Sequence, residues 1–179
     1  MEVHLVEGSG RVLPTMSEKS SRLAKKYLEQ LGVKVWLNTL VNDYTGHELL
    51  LKDGSSIAAE NVIWTAGVKG ATINGINPDA ITKGNRILVD GFNQIIGEEN
   101  IYAIGDIALM QADSAYPNGH PGVAQVAMQQ ADNLVSNFKR IHNNKTQQSF
   151  IYRNKGNMAT VGRHRAVVDL PFYSFGGYF

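Results

Sequence analysis

Asn100-Ile101-Tyr102-Ala103-Ile104-Gly105-Asp106 is the stretch on which the fold turns. A short apolar run ending in Gly-Asp is the pattern of a buried strand that delivers a carboxylate to the edge of an α/β sheet, where ligands bind. Glycine there lets a ligand approach the backbone closely, and the aspartate accepts hydrogen bonds from sugar or ribityl hydroxyls. The alternative is a structural strand closing in an ordinary turn. The order of the residues favours the ligand-binding reading.

Downstream, a loop leads into His120-Pro121-Gly122-Val123-Ala124-Gln125-Val126-Ala127-Met128-Gln129, which opens a long helix with Pro121 suited to its first turn. At 100° per residue Val123, Ala127, Leu134, Phe138 and Ile141 fall within about 60°, which predicts the buried stripe. Gln125, Gln129 and Asp132 then take the opposite side. Asn143 to Ser149 is polar and ends the block. From Phe150 the tail alternates like strands and turns aromatic through Pro171-Phe172-Tyr173-Ser174-Phe175-Gly176-Gly177-Tyr178-Phe179.

Upstream, Val3-His4-Leu5-Val6 reads as a buried strand ending at Glu7. A helix follows from Ser17, a plausible N-cap, to about Leu31, with Gly32 stopping it. Leu23, Tyr27, Leu28 and Leu31 give it an apolar stripe. Val33-Lys34-Val35-Trp36 completes a strand–helix–strand unit, hence a parallel pair with a right-handed crossover. Val41 to Tyr44, His47 to Leu51 and Ser55 to Ala58, joined by turn residues such as Asp53-Gly54, form an antiparallel meander. Asn61-Val62-Ile63-Trp64 predicts one more buried strand, ending at Thr65-Ala66-Gly67. Val68 to Asn85 is rich in Gly, Asn and Pro, which marks a boundary. Ile87 to Asp90 begins the second block.

Composition narrows the class. The chain has 179 residues, 17 Lys+Arg against 16 Asp+Glu, 43% hydrophobic residues and 18% charged ones. That profile is globular rather than disordered, and a net charge of +1 argues against a nucleic-acid binder. No apolar run approaches the roughly 20 residues of a membrane-spanning helix. The absence of cysteine excludes a disulfide framework, a Cys-ligated zinc site and dithiol chemistry within this chain. The first residues lack the layout of a secretory signal. A soluble, globular, intracellular protein is the expectation.

Glu7 carries a second clue. In a dinucleotide-binding half-domain, an acidic residue ending the second strand accepts hydrogen bonds from adenosine ribose hydroxyls and disfavours the extra phosphate of NADP. Taken alone, Glu7 is as well explained as a loop-capping carboxylate. The following Gly8-Ser9-Gly10 lacks the third glycine of G-x-G-x-x-G, and that pattern occurs nowhere else in the chain. If Glu7 ends a second strand, the first strand and its glycine-rich turn belong about 30 residues upstream. The chain therefore reads as a fragment.

Ile104-Gly105-Asp106, Ile63-Trp64-Thr65-Ala66-Gly67 and His120 to Gln129 together resemble the flavoproteins with two dinucleotide-binding domains. Within that group, the Ala-Gln-x-x-x-Gln run from Ala124 and Lys155-Gly156-Asn157-Met158-Ala159-Thr160-Val161-Gly162 are similar to type II NADH:quinone oxidoreductases. The resemblance implies an α/β fold: a partial two-dinucleotide-domain, Rossmann-like flavoprotein with parallel strands, a small antiparallel meander and a mixed C-terminal β segment. It implies residues 1–69 as the later part of an NADH domain, 70–149 as the returning half of an FAD domain, and 150–179 as the start of a C-terminal quinone-side domain.

The same resemblance implies cofactors and roles. FAD would be held by Gly105 and Asp106, with Ala124 and Gln125 at the isoalloxazine and Lys155 approaching it. NADH would meet Glu7, and Ala66 and Gly67 would close its domain. Gln125 and Gln129, one turn apart, would form the catalytic quinone-side pair. Taken alone, two glutamines opposite an apolar stripe are a solvated face, and Lys155 is a surface lysine. No metal is implied. Both glycine loops would precede Met1, and an acidic residue near the flavin would lie in the first half. Amphipathic membrane-binding helices would follow Phe179. In Phe172, Tyr173, Phe175, Tyr178 and Phe179 the chain would begin that membrane surface or form a buried aromatic cluster.

The implied whole protein is a peripheral enzyme at the cytoplasmic face of the membrane, passing hydride from NADH to FAD and electrons to quinone. The fragment alone would be soluble and inactive, binding FAD and NADH weakly or not at all, with open edges that favour self-association. The rivals are a ferredoxin, nitrite or disulfide reductase of the same architecture and a non-catalytic binding module.

Overall fold

The computed structural model describes residues 2–178, so Phe179 lies outside the described residues. The chain divides into two compact units, residues 66–154 and residues 1–65 with 155–179.

The second of these begins with strand β1 (Val3–Val6), helix α1 (Glu18–Gln30) and strand β2 (Val33–Trp36). β1 and β2 pair in parallel from Val3 opposite Val33 to Val6 opposite Trp36, so the expected strand–helix–strand unit forms. Ser17 caps α1, its hydroxyl accepting from Ser20 N–H. Leu23, Tyr27 and Leu28 pack with Val12, Met16, Ala24, Val161 and Val167, whereas Leu31 is exposed. The meander follows as β3 (Val41–Tyr44), β4 (Glu48–Leu51) and β5 (Ser56–Ala58), over a core of Leu49, Leu51 and Ile57.

The returning segment supplies β8 (Asn157–Val161), β9 (Arg165–Leu170) and β10 (Tyr173–Tyr178), an antiparallel sheet in the order β10-β9-β8. It joins α1 through Asp169. That carboxylate accepts from Ser17 N–H at 2.5 Å and from the Ser17 and Ser20 hydroxyls at 2.6 Å each. Gly156, with φ of +104°, is required here: a Cβ would stand 2.5 Å from the Asp169 carbonyl oxygen. The aromatic run splits between faces. Phe172 is fully solvent-facing at the β9–β10 turn, Tyr173 stacks on Phe175 under the Lys19 ammonium, and Arg165 lies over Tyr27 and Tyr178.

Residues 66–154 are built on β6 (Ile87–Val89), paired in parallel with β7 (Ala108–Met110), and on helix α2 (Ala124–His142). Ile87, Val89, Ile95, Ala103, Met110, Val126, Phe150 and Tyr152 are among its core residues.

Four local expectations are corrected. Residues 61–64 form no strand: Val62 packs on the meander core, and Ile63 and Trp64 are exposed. Residues 101–104 are extended without joining the parallel sheet. They are held by the turn at Asn93, whose carbonyl takes Ala103 N–H at 3.0 Å and whose Nδ2 donates to Ala103 O at 3.1 Å. Pro121 precedes α2 rather than entering its first turn. The buried face of α2 carries Val126, Gln130 and Asn137, about 60° round from the expected stripe, and leaves Phe138 and Ile141 exposed.

That last shift has a polar cause. Asn137 donates to Gln148 O at 2.9 Å and accepts from Gln148 N–H at 2.8 Å. Gln130 Oε1 accepts from Gly105 N–H at 2.7 Å. Amides whose hydrogen bonds are met lose the penalty that keeps them out of cores.

Candidate functional site

The chain from Ala103 reaches Gly105, where a turn over Gly105–Ile107 swings it into β7. Two side chains fix that turn from behind, Asn93 through Ala103 and Gln130 through Gly105 N–H. Gly105 adopts φ of +73°, and a Cβ there would meet the Ala127 methyl at 3.4 Å. The turn thus lies close against the first two turns of α2. Asp106 follows with an exposed side chain that makes no hydrogen bond among the described residues. Gly122 runs past it so closely that a Cβ would sit 3.3 Å from the carboxyl group.

The start of α2 completes the site. Val123 is its N-cap and makes no side-chain cap; its carbonyl accepts from Val126 N–H at 3.0 Å and from Ala127 N–H at 3.3 Å, the bonds that open the helix. Ala124, the first helical residue, is exposed, and Gln125, the second, is half-buried. An acceptor-rich carboxylate beside an uncapped helix end, with glycine on both approaches, suits a ligand bearing both hydroxyls and negative charge.

The remaining expected residues fall as follows. Gln129 donates to Arg153 O at 3.0 Å and accepts from Arg153 N–H at 3.0 Å, so both atoms of its amide hold the segment that runs back along α2. Ala66 and the exposed Gly67 open the 66–154 unit, and Lys155 is exposed at the start of the returning segment. Glu7 ends β1. Its N–H donates to Trp36 O at 2.8 Å, its carbonyl takes Thr39 N–H at 3.0 Å, and Oε1 accepts from Ser9 N–H at 2.8 Å. One carboxylate oxygen is therefore engaged in shaping the loop after β1. Sequence reasoning missed Asn93 and Gln130, because a buried amide leaves no periodic signal. No group of three or more metal-ligating side chains occurs among the described residues.

The sequence and the fold match known proteins. The pyridine nucleotide-disulphide oxidoreductase family model matches residues 1–131. The chain belongs to that family. It is 31% identical over 175 residues to a type II NADH:quinone oxidoreductase of Haemophilus influenzae, covering 95% of this chain and 38% of the relative. It is 32% identical over 190 residues to one of Mycobacterium tuberculosis, covering 99% of this chain and 39% of the relative. The chain thus spans about two fifths of these relatives' length. Among solved structures, NDH2 of Plasmodium falciparum in complex with NADH superposes with a TM-score of 0.86 at 22% identity, over 99% of this chain and 51% of that one. A ferredoxin reductase of Rhodopseudomonas palustris follows at 0.69 and 18%, over 95% and 42%. These likenesses support the two-dinucleotide-domain flavoprotein reductase fold.

Proposed function

We propose that this chain is part of an FAD-dependent NADH dehydrogenase that delivers electrons to a quinone. The observation that carries the reading is the Asp106 carboxylate, without a hydrogen-bond partner among the described residues, beside Gly122 just ahead of α2, whose N-cap Val123 makes no side-chain cap. FAD presents ribityl hydroxyls and a pyrophosphate, the groups such a site accepts. When bound, it supplies the two-electron chemistry that links a hydride donor to a quinone.

The chain's own residues then divide the work of binding. Asp106 accepts from the ribityl hydroxyls, and Gly105 and Gly122 leave room for the ligand. Ala124 and Gln125 present the helix end, which favours negative charge. Glu7 receives the ribose hydroxyls of NADH through the carboxylate oxygen not engaged with Ser9, and Ala66 and Gly67 close the NADH-binding stretch of the sequence. Gln125 and Gln129 are the quinone-side pair, the second hydrogen-bonded through both amide atoms to the Arg153 backbone, and Lys155 is a further residue assigned to the flavin. In this reading residues 1–69 serve NADH, 70–149 serve FAD, and 150–179 open the quinone side.

Attachment to the cytoplasmic face of a membrane belongs to the same proposal. No helix among the described residues is long and apolar enough to cross a membrane. The exposed Phe172, Tyr173 and Leu170 at the β9–β10 turn support surface contact. The type II NADH:quinone oxidoreductases matched along 95% and 99% of this chain support the choice of acceptor.

The test offers the native protein NADH with one of three acceptors: a soluble quinone, oxidised ferredoxin or lipoamide. Rapid quinone reduction with neither of the others is expected. Preference for ferredoxin or lipoamide would overturn the quinone assignment.

A further inference from the structure

Asp113 and His120 form a buried pair that the nucleotide reading leaves without a task. Their side chains are 8% and 2% exposed, and His120 Nε2 lies 3.0 Å from Asp113 Oδ2. Asp113 also accepts from Ala115 N–H at 3.0 Å and Tyr152 N–H at 3.4 Å. The imidazole is walled by Tyr116, Phe150 and Tyr152 at ring-centre distances of 5.0, 5.2 and 5.9 Å. The hydrogen bond from His120 holds the Asp113 carboxyl below its usual range. His120 Nδ1 is buried with no partner among the described residues.

Such a pair is a poor way to stabilise a core, since apolar side chains of similar volume commonly do as well or better. Its value lies in what it fixes. The carbonyl of His120 accepts from Arg86 Nη2 at 3.2 Å, and the same nitrogen donates to Ala108 O of β7 at 2.6 Å. Two residues on, Gly122 passes against the Asp106 carboxyl, and Val123 then starts α2 without a side-chain cap. The helix's own sequence gives its first turn no side-chain anchor at the N-cap. Val123 packs against the core of this unit, and the buried polar anchor just upstream of it is His120.

We propose that the buried Asp113–His120 pair is a positioning clamp that sets Gly122 and the first turn of α2 against Asp106, and so shapes the site for a flavin nucleotide. The ligand half of this statement rests on the function proposed above; the clamp half rests on the contacts just described.

The test makes His120→Ala, Asp113→Ala, the double variant and His120→Gln in the native protein. Two quantities are read: amide hydrogen exchange across residues 122–127, and the Kd of the flavin-free protein for FAD. Each alanine variant should speed exchange at least tenfold there and weaken FAD at least tenfold. The double variant should be within about twofold of either single, because one pair is broken once. His120→Gln, whose amide nitrogen can donate to Asp113, should recover most of both losses.

Unchanged exchange in His120→Ala overturns the clamp, as do losses that multiply in the double variant or a glutamine variant as poor as alanine. Should an alanine variant not fold, Asp113→Asn keeps the shape without the charge. It should speed exchange and weaken FAD in the same direction, and no change in either overturns the clamp. A parent protein that shows clamp-dependent exchange yet binds no FAD contradicts the flavin reading alone.

Discussion

Glu7 and Asp106 stand at the ends of two extended segments, but their surroundings differ. Glu7 is half-buried and has one carboxylate oxygen on Ser9 N–H, which shapes the loop after β1. Asp106 makes no hydrogen bond among the described residues. A hydrogen bond to a charged group contributes about 1.5–3 kcal/mol. Glu7→Gln keeps an acceptor for Ser9 but loses the charge, and should raise the KM for NADH roughly tenfold or more. The Kd for FAD should stay within about twofold. Steady-state kinetics at saturating quinone, with a parallel flavin titration, check both. The placement of these two residues was legible because each ends an apolar run followed by turn residues. Gln130 and Asn93 were not, since their value comes from backbone groups 25 and 10 residues away in sequence.

At the scale of elements, the joint between α1 and β9 depends on one carboxylate. Burial pushes the Asp169 carboxyl up, but hydrogen bonds from Ser17, Ser20 and Ser174 outweigh it and hold the group well below the usual carboxylate range. A carboxyl depressed on folding contributes stability above its unfolded value, about 3.9, and that contribution is lost as pH falls through the folded value. Asp169→Asn should therefore lower stability at pH 7 by about 2 kcal/mol and flatten the acid limb of the stability curve. Urea denaturation between pH 7 and pH 2 measures both. An unchanged acid limb would contradict the assignment. Ser17 as the N-cap was readable from local sequence; its partner 152 residues away was not. The buried face of α2 was misjudged because apolar periodicity gives no weight to amides that find backbone partners, as Gln130 and Asn137 do.

For the whole molecule, the strand–helix–strand start, the meander and the closing strands were legible because each is a local pattern with its own period and turn chemistry. Residues 61–64 show the limit of that logic. Their sequence is strand-like, yet whether a segment joins a sheet is set by the topology around it rather than by its own pattern. The Gly105–Asp106 site sits between these cases: its residues were readable, whereas the approach of Gly122 and the uncapped α2 end had to be seen. The most direct test of the central claim is an FAD titration of the native flavin-free protein beside its Asp106→Ala variant. The account predicts one FAD per chain in the parent and binding weakened about 10- to 100-fold in the variant. Equal affinity in the two proteins, or no FAD binding by the parent, would contradict it.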